Sequence, residues 1–119
     1  MPETKGKVWG KTTTVCENAF FSVHYLSIKK GGFCSEHKHR QKVNFFYVVR
    51  GRLEVTVFDK NFSDKTILTD GQLFSVYPEK YHKFHALEDT ECLEIYKPCD
   101  LSEDISRRKT GGKAESENV

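Results

Sequence analysis

A chain of 119 residues suits one domain around one core. Its charge is nearly balanced, +2 from 19 basic and 17 acidic residues, which gives no reason to expect nucleic acid or an anionic membrane as a partner. No apolar run approaches the roughly 18 residues of a membrane span, and the polar start MPETKGKVWG lacks the apolar segment of a secretory signal, so a cytoplasmic protein is expected.

Nine Phe and five Tyr supply the core of a small aromatic-rich β protein. Four cysteines form no CxxC pair and are expected as reduced thiols; Cys34-x-x-His37 has no second half at a zinc-site spacing. Residues 1–7 read as a flexible start. Trp9, the only tryptophan, reads as a core or lid aromatic. Thr12 to Val15 is β-prone, and Glu17-Asn18-Ala19 makes a turn. Phe20 to Ile28 reads as a strand with Phe21, Val23 and Tyr25 on one face and His24, Leu26 and Ile28 on the other. Both faces are rather apolar, as where two sheets pack, and His24 reads as a core histidine.

After the loop Lys29 to Gly32, the segment GGFCSEHKHRQKVNFFYVVRG runs from Gly31 to Gly51. It contains a strand from Asn44 to Val49 and ends in a tight turn. Leu53, Val55 and Val57 alternate with Arg52, Glu54 and Thr56, a half-buried strand. Further strands are expected at Thr66 to Leu68, Gln72 to Tyr77 (stopped by Pro78), His82 to Ala86 and Glu91 to Tyr96. No long amphipathic helix appears, and the pattern predicts an all-β antiparallel sandwich or barrel. At Pro98 the composition changes. Leu101 to Ile105 reads as one turn closing over a domain spanning 8–105, and 106–119, with its Arg107-Arg108-Lys109 run, as a disordered polar tail.

His37 and His39 stand one residue apart. On a strand they would share a face, where two imidazoles can grip one metal ion. The intervals around them are Gly31, five residues, His37-Lys38-His39, four residues, Asn44, six residues, Gly51. This spacing resembles the first motif of the cupin family, with Asn44 in the place of an acidic residue. Gly71, Pro78 and His82 in GQLFSVYPEKYH resemble the second motif at its full Gly-to-His interval; Pro78 sits one place late and no glycine separates it from His82.

The resemblance implies a small antiparallel β-barrel of the double-stranded β-helix, or jelly-roll, type. It implies a divalent metal ion (Fe, Mn, Ni or Zn) on His37, His39 and His82, with Asn44 as a weak fourth donor. A small-molecule ligand follows, an anionic sugar among the candidates, and a homodimer through edge strands or N-terminal segments is expected. Arg40 is a candidate anion clamp. Phe84 shares a face with His82 and is a pocket candidate. Unbroken alternation from His39 turns Tyr47 inward; a bulge that aims Asn44 at the metal turns Phe46 inward instead. His85, at an odd offset from His82, should face away.

A closer likeness runs from about Lys7 to Arg108. Lys7-Val8-Trp9-Gly10, the His-Arg of HKHR, RGRLEVTV and LEIYKPCDLSEDISRR resemble the cupin domain of type II mannose-6-phosphate isomerases and bifunctional GDP-mannose pyrophosphorylases. No nucleotidyltransferase domain is found in these 119 residues, so isomerase rather than pyrophosphorylase chemistry is implied. Two alternatives stand beside it: a three-His non-haem iron dioxygenase and a non-catalytic binding domain.

Overall fold

The computed structural model describes residues 4–98. The first three residues of the expected flexible start, the expected closing turn over Leu101 to Ile105 and the tail over 106–119 lie outside the described residues. Nine strands follow one another: β1 (Thr4–Lys7), β2 (Gly10–Glu17), β3 (Ser22–Ile28), β4 (Lys42–Arg50), β5 (Arg52–Phe58), β6 (Ser63–Thr69), β7 (Leu73–Val76), β8 (Tyr81–Ala86) and β9 (Thr90–Pro98). They form a six-stranded sheet in the order β1-β2-β3-β9-β4-β7 and a three-stranded sheet in the order β6-β5-β8, with every pairing antiparallel. The all-β expectation holds. No helix among the described residues is long and apolar enough to cross a membrane.

The period-two pattern explains the layering. Leu53 and Val55 of β5 and His82, Phe84 and Ala86 of β8 alternate with more exposed neighbours. With Leu26 and Ile28 of β3, Phe46 and Val48 of β4, Leu68, Val76 and Cys92, the apolar members of this set form one buried cluster. Burying a side chain of this size contributes about 1.5–3 kcal/mol.

Two sequence expectations change. Thr4 to Lys7, expected to be flexible, pairs with Gly10 to Thr13 as an edge hairpin, so the backbone groups on its inner side are satisfied by β2. His37 and His39 do not lie on a regular strand. Gly31 to His37 runs antiparallel beside β8 through isolated bridges, Phe33 with His85 and His37 with His82. Between those bridges the loop spends four steps against three on β8, and this extra residue breaks the regular ladder. The chain then bends at Arg40 and Gln41 before β4 begins.

The turn between β4 and β5 depends on Gly51. Its φ is +119°, and a Cβ there would lie 2.6 Å from Thr90 Oγ1 and 2.7 Å from the Asp89 carbonyl oxygen. Thr90 cannot easily yield, because its hydroxyl donates to the Glu88 carbonyl at 2.8 Å and accepts the Arg52 N–H at 3.1 Å. Gly51→Ala is therefore expected to destabilise the protein by about 2 kcal/mol, from left-handed strain and the clash together. An unchanged midpoint in urea denaturation would contradict this account of the turn.

Candidate metal centre and cavity

The pairing of the Gly31 to His37 segment with β8 sets the site. The His37 N–H donates to the His82 carbonyl at 3.1 Å, and the His82 N–H returns a bond to the His37 carbonyl at 2.8 Å. His39 is tied through its carbonyl, which accepts from the Glu79 N–H at 2.7 Å. One ligand atom from each of His37, His39 and His82 lies within 4.8 Å of the other two. The ring centroids of His37 and His82 are 4.4 Å apart.

The tautomers suit an ion. His37 Nδ1 lies 2.8 Å from the Ser35 carbonyl and His82 Nδ1 2.9 Å from the Lys80 carbonyl. Each Nδ1 must carry the proton to donate there, which leaves each Nε2 with its lone pair; that of His82 faces the Asn44 amide nitrogen at 3.3 Å, which would have to turn aside for an ion. His39 Nε2 is buried and has no hydrogen-bond partner. Three neutral imidazoles with available lone pairs are the donor set that Zn, Fe, Ni or Mn accepts. Bonds of about 2.1 Å at tetrahedral angles would draw the nitrogens to about 3.4 Å, so the rings would close slightly on an ion. The three histidines thus form a group that can bind a metal.

Asn44, fully buried on β4, reaches this centre with its amide nitrogen. Nδ2 lies 3.3 Å from His82 Nε2 and donates to Glu94 Oε2 at 3.1 Å. Reversing the amide would set Oδ1 against the Glu94 carboxylate, acceptor against acceptor, so the network fixes the orientation. It leaves Oδ1 buried without a partner, a cost of about 1–3 kcal/mol. Glu94 also accepts the Tyr96 hydroxyl at 2.8 Å, and the Tyr96 ring stands edge-to-face on His39 at 5.0 Å. Burial, then the Glu94 charge, pushes the Tyr96 phenol well above its ordinary range.

A cavity of about 410 Å³ opens beside His37, walled by Lys5, Lys7, Trp9, Thr12, Thr14, His24, Phe84, Glu94 and Tyr96, among others. Trp9 meets Phe84 edge-to-face at 5.1 Å, and both rings line this cavity. Phe46 is fully buried and 6.3 Å from the His82 ring, whereas Tyr47 is 37 % exposed and points outward. The bend at Arg40 and Gln41 breaks the alternation from His39 and selects Phe46. Arg40 is exposed and stands outside the cavity wall. His85 faces away from the centre, 3.8 Å from Glu54. Cys34 lines the cavity as a thiol, pushed up to about 11 mainly by burial, and its Sγ accepts the Phe84 N–H at 3.2 Å.

Sequence reading missed Glu94, Tyr96, Lys5, Lys7 and the cavity side of His24, whose Nδ1 is 3.3 Å from Thr14 Oγ1. A signal for Glu94 was present: in TECLEIY the alternation puts Thr90, Cys92, Glu94 and Tyr96 on one face, a carboxylate in an inward row.

Two packed antiparallel sheets with three histidines converging from a loop and a strand define a cupin-type domain with a group that can bind a metal. The chain belongs to the cupin family: the family model for the cupin domain matches residues 24–96, more than half of the chain. No curated protein matches it in sequence. Among solved structures it is similar to KdgF from Halomonas sp., with 20 % identity over 81 % of this chain and 87 % of that one and a TM-score of 0.71. An RmlC-like cupin from Shewanella frigidimarina shares 22 % identity over 86 % and 88 %, with a TM-score of 0.71. Bacillus subtilis oxalate decarboxylase, described for its Mn(II) centres, shares 21 % identity over 87 % of this chain but 29 % of its own, with a TM-score of 0.73. At these identities the likeness is one of fold.

Burial, reinforced by the positive charge that His37 and His82 would carry, pushes the His39 pKa down to about 4 from 6.5. Burial also lowers His82, against an opposing bond to the Lys80 carbonyl. In the metal-free protein between pH 6.5 and about 4, the unfolded chain binds protons that the folded state refuses. Stability therefore falls as pH drops through that window and is level above it. A His39→Gln variant should show a shallower fall in urea midpoint from pH 6.5 to 4 than the unaltered protein; parallel curves would contradict it.

Proposed function

We propose that this cupin is a metal-dependent enzyme acting on a small anionic sugar, with isomerisation of a sugar phosphate or nucleotide sugar as its reaction class. The observation that carries the reading is the convergence of three neutral imidazoles beside a cavity whose wall changes character across the sheet. Lys5 pairs with Thr12, which pairs with Leu26; Thr14 pairs with His24, which pairs with Glu94. One face thus runs from two ammonium groups on β1, through two hydroxyls on β2, to a carboxylate on β9. Three strand spacings of about 4.8 Å separate β1 from β9 by about 14 Å, a span that a lysine side chain and one phosphorylated sugar can bridge.

His37, His39 and His82 would hold the ion, which supplies Lewis acidity toward a carbonyl oxygen. Lys5 and Lys7 would hold the anionic group, in the role first weighed for Arg40. Trp9 and Phe84 offer apolar faces to the sugar carbons and exclude water. Glu94 is the only carboxylate in this cavity wall among the described residues. Both of its hydrogen bonds fall on Oε2, and this reading assigns the substrate's proton to Oε1.

One observation favours a second reading, the iron dioxygenase: Asn44 presents nitrogen rather than a carboxylate, so the converging group contains imidazoles alone. Among the described residues β1 and β7 stand at the edges of the larger sheet, with Tyr47 and Leu73 exposed, which supports pairing of two copies. A cytoplasmic setting belongs to the same reading.

Elemental analysis of the purified protein followed by assay with mannose 6-phosphate tests it. Metal near one equivalent, lost in His37→Ala, and conversion to the ketose are expected. Lys5→Ala/Lys7→Ala should raise KM about tenfold and leave kcat nearly unchanged, since the lysines hold a group remote from the reacting carbon. Oxygen uptake by the iron-loaded protein without sugar conversion would favour the dioxygenase; ligand binding without turnover would make the domain a binding protein.

A further inference from the structure

Glu94 presents a problem that the ligand set leaves open. Its residue is only 8 % exposed, yet none of the ion pairs among the described residues involves it. Buried carboxylates are ordinarily paired with a cation or bound to a metal, because an isolated one loses its hydration without compensation. Both groups bonded to it, the Asn44 amide and the Tyr96 hydroxyl, are neutral donors. A few ångströms away stand three imidazoles whose ligand atoms converge on a common point, the donor set of a cation. The unpaired acid and the ligand cluster are complementary. Each of Glu94's two neutral partners also touches a different histidine, Asn44 through His82 Nε2 at 3.3 Å and Tyr96 through its ring on His39 at 5.0 Å.

We infer that Glu94, besides facing the cavity through Oε1, is the counter-charge of the metal centre and acts on the ion through Asn44 and Tyr96 rather than by ligating it. This rests on the metal-centre reading above. Glu94 stands outside the converging group, and its Oε2 is occupied by the two donors, so its charge stabilises a cation across one intervening amide. The strand register makes this possible: Asn44 lies opposite Tyr96, and Glu94 opposite Phe46, so Glu94 sits diagonally across from Asn44 on the neighbouring strand.

The test uses the whole chain and Co(II) alone as probe. Affinity is read by calorimetry, the centre by its visible spectrum, and the metal-free fold by urea denaturation. Glu94→Gln keeps the size and the hydrogen-bonding atoms while removing the charge. It is expected to weaken Co(II) binding 10- to 100-fold without lowering the metal-free urea midpoint. Tyr96→Phe, which keeps the ring, should weaken it less. Returning a carboxylate to β4 with Asn44→Asp in the Glu94→Gln background should recover most of the affinity and alter the spectrum, because the charge then sits beside His82. Equal affinity in Glu94→Gln and the unaltered protein would overturn the assignment alone. A loss of affinity that merely follows a loss of metal-free stability, with no recovery on Asn44→Asp, would overturn it as well. An unaltered protein that binds no Co(II) would remove the metal-centre reading and this assignment together.

Discussion

Everything about the site depends on one stretch of backbone pairing, the antiparallel run of Gly31 to His37 along β8. Reciprocal bonds between His37 and His82 lock the register at the point where the imidazoles must meet. Side-chain contacts could not do this alone, because a slip by one residue would turn His82 to the opposite face of its strand. The same local geometry orients the rings: each of His37 and His82 directs Nδ1 at a carbonyl two residues earlier in its own chain. The placing of a proton on Nδ1, with Nε2 turned toward the centre, is therefore built into the backbone before any ligand arrives, and less ordering remains to be done when one binds.

The cavity follows from a different constraint, the placing of β9 between β3 and β4. The hairpin β1–β2 and strand β3 would make a plain sheet extension. Because β9 inserts beside them, its inward row of Cys92, Glu94 and Tyr96 comes to lie between Leu26 and His24 on one side and Phe46 and Val48 on the other. Apolar members of these rows close the core, and polar members open toward the cavity. The boundary between packing and chemistry thus runs along the strands, and within β9 it falls between Cys92, buried in the core cluster, and Glu94.

This division explains what could be read from the residues alone. Interval counting found His37, His39, His82 and Asn44 because it needs only the number of residues in a loop, whatever conformation the loop adopts. Alternation found the strands for the same reason that it fixed Phe84 and His82 on one face. Alternation failed between His39 and Tyr47, where a bend at Arg40 and Gln41 resets the phase. Glu94, His24, Lys5 and Lys7 escaped because a shared face across β1, β2, β3 and β9 is a property of sheet order, and β9 joins strands far from it in the chain. Arg40 was weighed for adjacency to His39 in sequence, yet a bend next to a site carries the following side chain away from it.

Placing an amide where related motifs carry an acid, and an acid one strand away, changes the chemistry a bound ion would meet. A carboxylate ligand cancels part of the ion's charge at the coordination sphere itself. Three imidazoles leave that charge whole toward the open positions, while Glu94 offsets it from beyond an intervening amide. Lewis acidity and electrostatic compensation are thereby assigned to different residues. The arrangement also leaves Glu94 Oε1 free of hydrogen bonds on the cavity wall, where a ligating carboxylate would share its charge with the ion. A single displaced carboxylate can in this way stabilise the cation and remain available to a substrate proton, two tasks that a carboxylate bound at the β4 position would perform in competition.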